Sequence, residues 1–313
     1  MKTNINQHYL PQYYLRNFAI DKSIEIYDLK LKKKYTNSIS NVAYKKNFYN
    51  VDVSFFNEII ENEIFQDHDF IDKIINEYNE SILASFFDSF NPTRDRIINK
   101  DERETISVID FHSLVDFILV QTYRNPKFSL FFKDIDNYIK SKNDVDGTKE
   151  YDKITRGIVI LLLFNNLHYP KKTKFKSDVL VGFKSILDEI QLLKSLITNS
   201  YKIIYWNKTS IDFITNDCGM SFIRLEGNDI FSSIYVPINT KIAVLLVNKE
   251  TSIFKNKKIK DSGAILQIEE PDKTHVETYN LSIVENANRF VFSQNGIFPN
   301  NIDEVEYKPW WNI

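Results

Sequence analysis

"LDEIQLLKSLITNSYKIIYW", residues 187–206, decides the fold class. Up to about residue 198 its apolar residues follow a helical period, the end of a helix predicted over 176–198. From "YKIIYW" onward the character changes. "IDFITND" (211–217), "DIFSSIYVPI" (229–238), "KIAVLLV" (241–247) and "AILQIEE" (264–270) are short β-branched or aromatic runs with turns between them. One last helix is predicted over "THVETYNLSIVENANRFVFSQ" (274–294). Upstream the pattern is helical: "FFNEIIENEIF" (55–65), a run over 70–90, "DERETISVIDFHSLVDFILVQTYR" (101–124) and a helix over about 151–168. Asn125 before Pro126 should end or kink the third of these. Nearer the start, "IEIYDL" (24–29) alternates as a strand and "KLKKKYTNSI" (30–39) returns as its hairpin partner. "NVAYKKNFYN" (41–50) reads as a loop. Helices and strands are segregated, so the expectation is α+β. The units are an N-terminal helix and β hairpin over 1–50, a helical region over 51–198 and a strand-rich α+β region over 199–313, joined in one compact unit.

The totals exclude several classes. The 313 residues suffice for a substantial core. Only 7 are glycine and no GxGxxG or GxxxxGK[ST] occurs, which argues against a glycine-rich phosphate loop. The net charge of -2 gives no global field toward nucleic acid or an anionic membrane, so such binding needs a local patch. A single cysteine, Cys218, excludes an internal disulfide and a CxxC metal site. The longest apolar run, "IVILLLF" at 158–164, is too short to span a bilayer. No signal-like run opens the chain. The expected compartment is the cytoplasm, with no membrane partner.

"HYLPQYYLRNFA" (8–19) resembles the N-terminal signature of a bacterial family catalogued as domain of unknown function 4238. The likeness continues in order through "NVAYKKNFYN", "VQTYRNP" (120–126), "YWNKTSIDFITNDCGM" (205–220) and "YNLSIVENANRFVFS" (279–293). Asn216 stands where serine is common in the family, and Gly219 where proline is common. The resemblance implies no activity, but it draws attention to the polar residues in these stretches.

Read physically, the signature has Pro11 at a helix start. Leu10, Tyr14, Leu15 and Phe18 fall on one side of that helix and Arg16 on the other. His8 is a candidate general base or ligand and Arg16 an anion clamp; the bland alternative is a capping His8 and a solvated Arg16. Phe117, Gln121 and Arg124 share one helix face. That face is apolar at Phe117, so Arg124 is expected buried and paired with a carboxylate or a ligand. Asn216 and Asp217 sit where a strand gives way to a turn, a position that suits site chemistry and ordinary turn material equally. Glu285 and Arg289 are spaced for a surface pair on the final helix.

Metal motifs are weak. No HExxH or spaced His pair occurs, and the acid-x-Lys pairs "DLK" (28–30) and "EYK" (306–308) lack a partner strand. The basic runs "KLKKK" (30–34), "KKTKFK" (171–176) and "KNKKIK" (255–260) would make a phosphate-tracking patch only if they converged.

Two function classes stay open. One is a hydrolase acting on a phosphodiester or nucleotide, a nuclease-like toxin or phage-defence effector. In it His8 and Asp217 are catalytic, Arg16, Gln121, Arg124 and Asn216 bind substrate, and a divalent cation on Asp217 and a glutamate near 58–63 is compatible. The other is a non-catalytic sensor or interaction protein that binds a charged ligand, nucleic acid or a protein from the same operon. A cleft holding His8, Arg124 and Asp217 together favours the first; signatures packed away in the core favour the second.

Overall fold

A computed structural model describes residues 6–46, 108–124, 184–223, 233–248 and 266–307. Its first element is strand β1, Asn6–His8, followed by the short helix α1, Gln12–Leu15. Pro11 caps α1 from extended backbone, and a 3-10 turn over Arg16–Phe18 continues it. Strands β2, Ser23–Asp28, and β3, Lys33–Ser38, make the expected hairpin. Strand β4, Tyr44–Lys46, then pairs antiparallel with β1. That corrects the loop reading of 41–50: "YKK" carries no apolar alternation, and only its partner near the start makes it a strand.

The helical middle is described through α2, Val108–Arg124, and α3, Lys184–Asn199. The predicted helices over 55–90 and 151–168 and the basic runs at 171–176 and 255–260 lie outside the described residues. α2 presents Leu114, Val115, Phe117, Ile118 and Leu119 to the core, all nearly inaccessible. This is the broad apolar stripe expected of a helix with packing on more than one side.

The strand-rich part supplies β5, Tyr201–Trp206; β6, Thr215–Asn216; β7, Ser221–Ile223; β8, Ser233–Pro237; β9, Ile242–Val247; and β10, Leu266–Glu269. A five-stranded sheet runs β10-β5-β9-β8-β7, antiparallel except where β10 joins β5 in parallel. β9 reads "IAVLLV" and is buried at every position, as a strand covered on both faces requires.

Helix α4, Lys273–Asn286, opens on Asp272, whose side chain accepts from the His275 N–H at 2.9 Å. It ends at Asn286, with Ala287 already extended, and the chain enters β11, Phe290–Ser293. The sequence pattern carried the helix through "FVFS"; the structure makes that run a strand. Its alternating aromatic and β-branched residues suit a sheet, and no Gly or Pro marks the stop. β11 closes the four-stranded sheet β3-β2-β11-β6, so the N-terminal hairpin and the last strand share one sheet. Val276, Ile283 and Val284 of α4 join one core cluster with Ile203, Tyr205 and Tyr235 of the large sheet and Tyr27 and Val291 of the smaller one. The fold is α+β.

Candidate functional site

Gly219 marks where the motif stretches meet. Its φ is +73°, a conformation costly for a residue with a Cβ. A Cβ there would lie 3.0 Å from Leu10 Cδ1, 3.5 Å from Phe117 Cζ and 3.6 Å from Gln121 Cγ. The N-terminal signature, the α2 face and the strand end therefore converge, and they do so in close packing. Tyr14 ties the same junction from within. Fully buried, its hydroxyl lies 2.8 Å from Thr215 Oγ1, 2.7 Å from Pro237 O and 3.1 Å from Gly219 O. Burial pushes its phenol far above the ordinary range, so it is a permanent donor. Its ring packs against Phe18 and Phe117 at centroid distances of 5.5 and 5.3 Å. Gln121, also buried, donates from Nε2 to Tyr9 O at 2.8 Å, which fixes the signature strand on α2.

Asn216 and Asp217 are inaccessible too. Asn216 Nδ2 donates to Ile283 O at 2.7 Å and Met220 O at 3.2 Å, and its Oδ1 accepts from the Cys218 N–H at 2.9 Å. It builds the turn after β6 and fastens that turn to α4. Asp217 Oδ1 accepts from the Asn288 N–H at 2.8 Å and Oδ2 from the Arg289 N–H at 3.0 Å. Burial pushes its carboxyl up to about 6, while these backbone donors pull the other way.

Arg289 lies beyond the end of α4 and does not use the Glu285 spacing read from sequence. Its guanidinium forks onto Asp28, with Nη2–Oδ2 at 2.6 Å and Nε 3.1 Å from both oxygens. Asp28 is wholly buried and also accepts the Lys30 and Leu31 N–H groups. The "DLK" aspartate is thus committed to the joint between β2 and β11.

The outward side of the same signature differs. His8 is partly exposed; its Nε2 lies 3.2 Å from Ser40 O, and Gln12 Nε2 lies 3.3 Å from His8 Nε2 and 3.5 Å from Nδ1. Tyr44 packs against the ring at 5.7 Å. Arg16, four residues after Gln12, is exposed. Residues 6–46 hold Arg16, Lys22, Lys30, Lys32, Lys33, Lys34, Lys45 and Lys46, and each is exposed. Against these eight stand Asp21, Glu25 and Asp28, a net of +5.

Gln121 packs against Gly219 at the buried junction, Asn216 and Asp217 are buried in the turn that leads into it, and His8 and Arg16 line the outside. The Arg124 backbone ends α2 and its side chain lies outside the described residues, as do the glutamates at 58–63. Among the described residues no three of His, Cys, Asp and Glu cluster as a metal site, and no helix is long and apolar enough to cross a membrane. Sequence reasoning missed the Tyr14 hydroxyl and the Asp28–Arg289 joint. The first had a signal: a tyrosine on an inward helix face needs a hydrogen-bond partner. The second joins residues 261 apart and had none. No curated protein and no solved structure matches the chain. The motif stretches that meet at Gly219 all fall within residues 6–296, which match the model described as protein of unknown function (DUF4238), and the chain belongs to that family.

Proposed function

We propose that the chain is a nucleic-acid-binding protein that holds phosphates with the basic N-terminal unit of residues 6–46. One observation carries this: all eight basic side chains of that unit are exposed, in a chain whose net charge is -2. A local excess of that size is the electrostatic footprint expected of a phosphate-binding face. Arg16 supplies a planar fork for phosphate oxygens, with His8 and Gln12 as neighbouring polar groups. The hydrolase alternative draws less support. Asp217 is buried, and each of its oxygens accepts a backbone N–H. Of the two catalytic candidates, His8 is then the one left as a base for phosphodiester cleavage.

Fluorescence anisotropy with single-stranded DNA, duplex DNA and RNA, each with and without Mg²⁺, tests the reading. The expected result is salt-sensitive binding that weakens in an Arg16→Ala, Lys45→Ala, Lys46→Ala variant. With ~4 phosphates engaged, the slope of log K against log salt is roughly -3 to -4. Absence of binding at low salt overturns the proposal. Strand cleavage that is lost on His8→Ala would move the protein to the hydrolase class.

A further inference from the structure

The segment after β11 lies against the most basic turn of the N-terminal unit. Lys32 Nζ donates to Asp303 O at 2.9 Å and to Val305 O at 2.5 Å. The Tyr27 hydroxyl donates to Asp303 Oδ1. Lys34 Nζ stands 5.2 Å from the Phe298 ring centroid. Phe298 and Ile302 are buried and anchor the segment from below. Between Phe298 and Tyr307 there is no basic residue, while Asp303, Glu304 and Glu306 are all exposed. Lys32 itself holds a φ of +52°, an unfavourable backbone state that its two bonds to the segment help retain.

We propose that residues 298–307 are a built-in acidic strap that competes with nucleic acid for the lysines of the 30–34 turn. The proposal rests on the reading of the N-terminal unit given above. The strap carries three carboxylates and its backbone is bonded to Lys32 in the turn that carries Lys30, Lys32, Lys33 and Lys34, so it offsets positive charge there while it is seated. Charges held this close interact within the screening length of about 8–10 Å at ordinary salt. Nucleic acid must then displace the strap or bind with fewer lysines.

The test compares wild type with an Asp303→Asn, Glu304→Gln, Glu306→Gln variant, using the same single-stranded DNA probe. The amide at 303 keeps an oxygen for Tyr27, and the Lys32 bonds are to main chain, so the seat itself is retained. The variant should bind more tightly, about fivefold at low salt, with the difference shrinking as salt is raised. If the triple variant melts early, Glu304→Gln, Glu306→Gln is measured instead and should move in the same direction. Equal affinities for a folded variant and wild type, with wild type binding, overturn the strap and leave the nucleic-acid reading standing. Failure of both proteins to bind overturns that reading and the strap with it.

Discussion

The stretch 7–19 faces two ways, and its two sides behave differently. Inward, Leu10, Tyr14, Leu15 and Phe18 are wholly buried, and the one polar atom among their side chains finds partners at 2.7 and 2.8 Å. Outward, His8 and Gln12 are only partly covered, and Arg16 stands in solvent. Polar groups that a fold encloses are spent on its own backbone, because an unpaired one would be costly. Polar groups on the outside keep the capacity to bind something else. The same division separates Gln121, Asn216 and Asp217 from the exposed lysines. Variants of the buried junction should therefore change stability and spare ligand binding, and variants of the outer side should do the reverse.

The joint between the N-terminal hairpin and the last strand should give the largest effect. Arg289→Met leaves the Asp28 carboxylate buried without its cation. The cost of such a broken pair is about 3 kcal/mol, read as a shift in the urea midpoint at constant slope. A midpoint close to wild type would mean that the Lys30 and Leu31 N–H groups alone satisfy Asp28. Tyr14→Phe comes next. It removes the hydroxyl shared by Thr215 and Pro237 and leaves buried polar atoms unpaired, for about 2 kcal/mol. Nucleic-acid affinity of the folded protein should be unchanged. Loss of binding by a stable Tyr14→Phe protein would break the comparison, because the junction would then be functional.

Asp217→Asn sharpens it through pH. The amide keeps one acceptor but turns its NH₂ toward a backbone N–H, at a cost of about 1–2 kcal/mol. The wild-type carboxyl is raised in the folded state from 3.8 to about 6. A raised acid binds its proton more tightly when folded. Its stabilising contribution is complete below the unfolded value and is lost as pH rises through the folded one. The destabilisation by Asp217→Asn should therefore be largest at and below pH 4, shrink between pH 4 and 6, and level off above that. A difference that grows across that interval would mean that the backbone donors outweigh burial at this site.

Much of the architecture could be read from local pattern. β2, β5, β8 and β9 announce themselves by β-branched and aromatic runs, and the apolar side of the signature helix is the side the structure buries. What escaped was set by partners distant in sequence. β4 is a strand because β1 lies beside it. β11 is one because β2 and β6 accept it on either edge, although "NANRFVFS" follows α4 with no breaking residue. The candidate residues were legible as a set of polar side chains in apolar stretches. Their roles were not, since a hydroxyl or carboxylate at a strand end looks the same whether it faces a ligand or a backbone N–H. Tyr14 meets Thr215 across 201 residues, and Asp217 reaches Arg289 across 72. No spacing rule carries that far.

The smallest effect on stability should come from the outer side. Arg16 and Lys46 are exposed, and substitutions at such positions stay within about 0.5 kcal/mol. Arg16→Ala and Lys46→Ala should melt with wild type. Binding tells them apart from the buried variants. Each phosphate contact removed lowers the salt slope by about 1 and weakens binding to every sequence alike. The two substitutions together should then flatten the slope by about 2 without changing the preference among DNA and RNA probes. Contacts to base edges would behave differently, with a preference lost and the slope kept. An Arg16→Ala protein that binds as wild type does, with the same slope, would remove the arginine from the binding face and leave the lysines of β3 and β4 to carry it. An Arg16→Ala protein that melts early would show that the outward side is structural after all, and that the two sides of the signature do not divide as proposed.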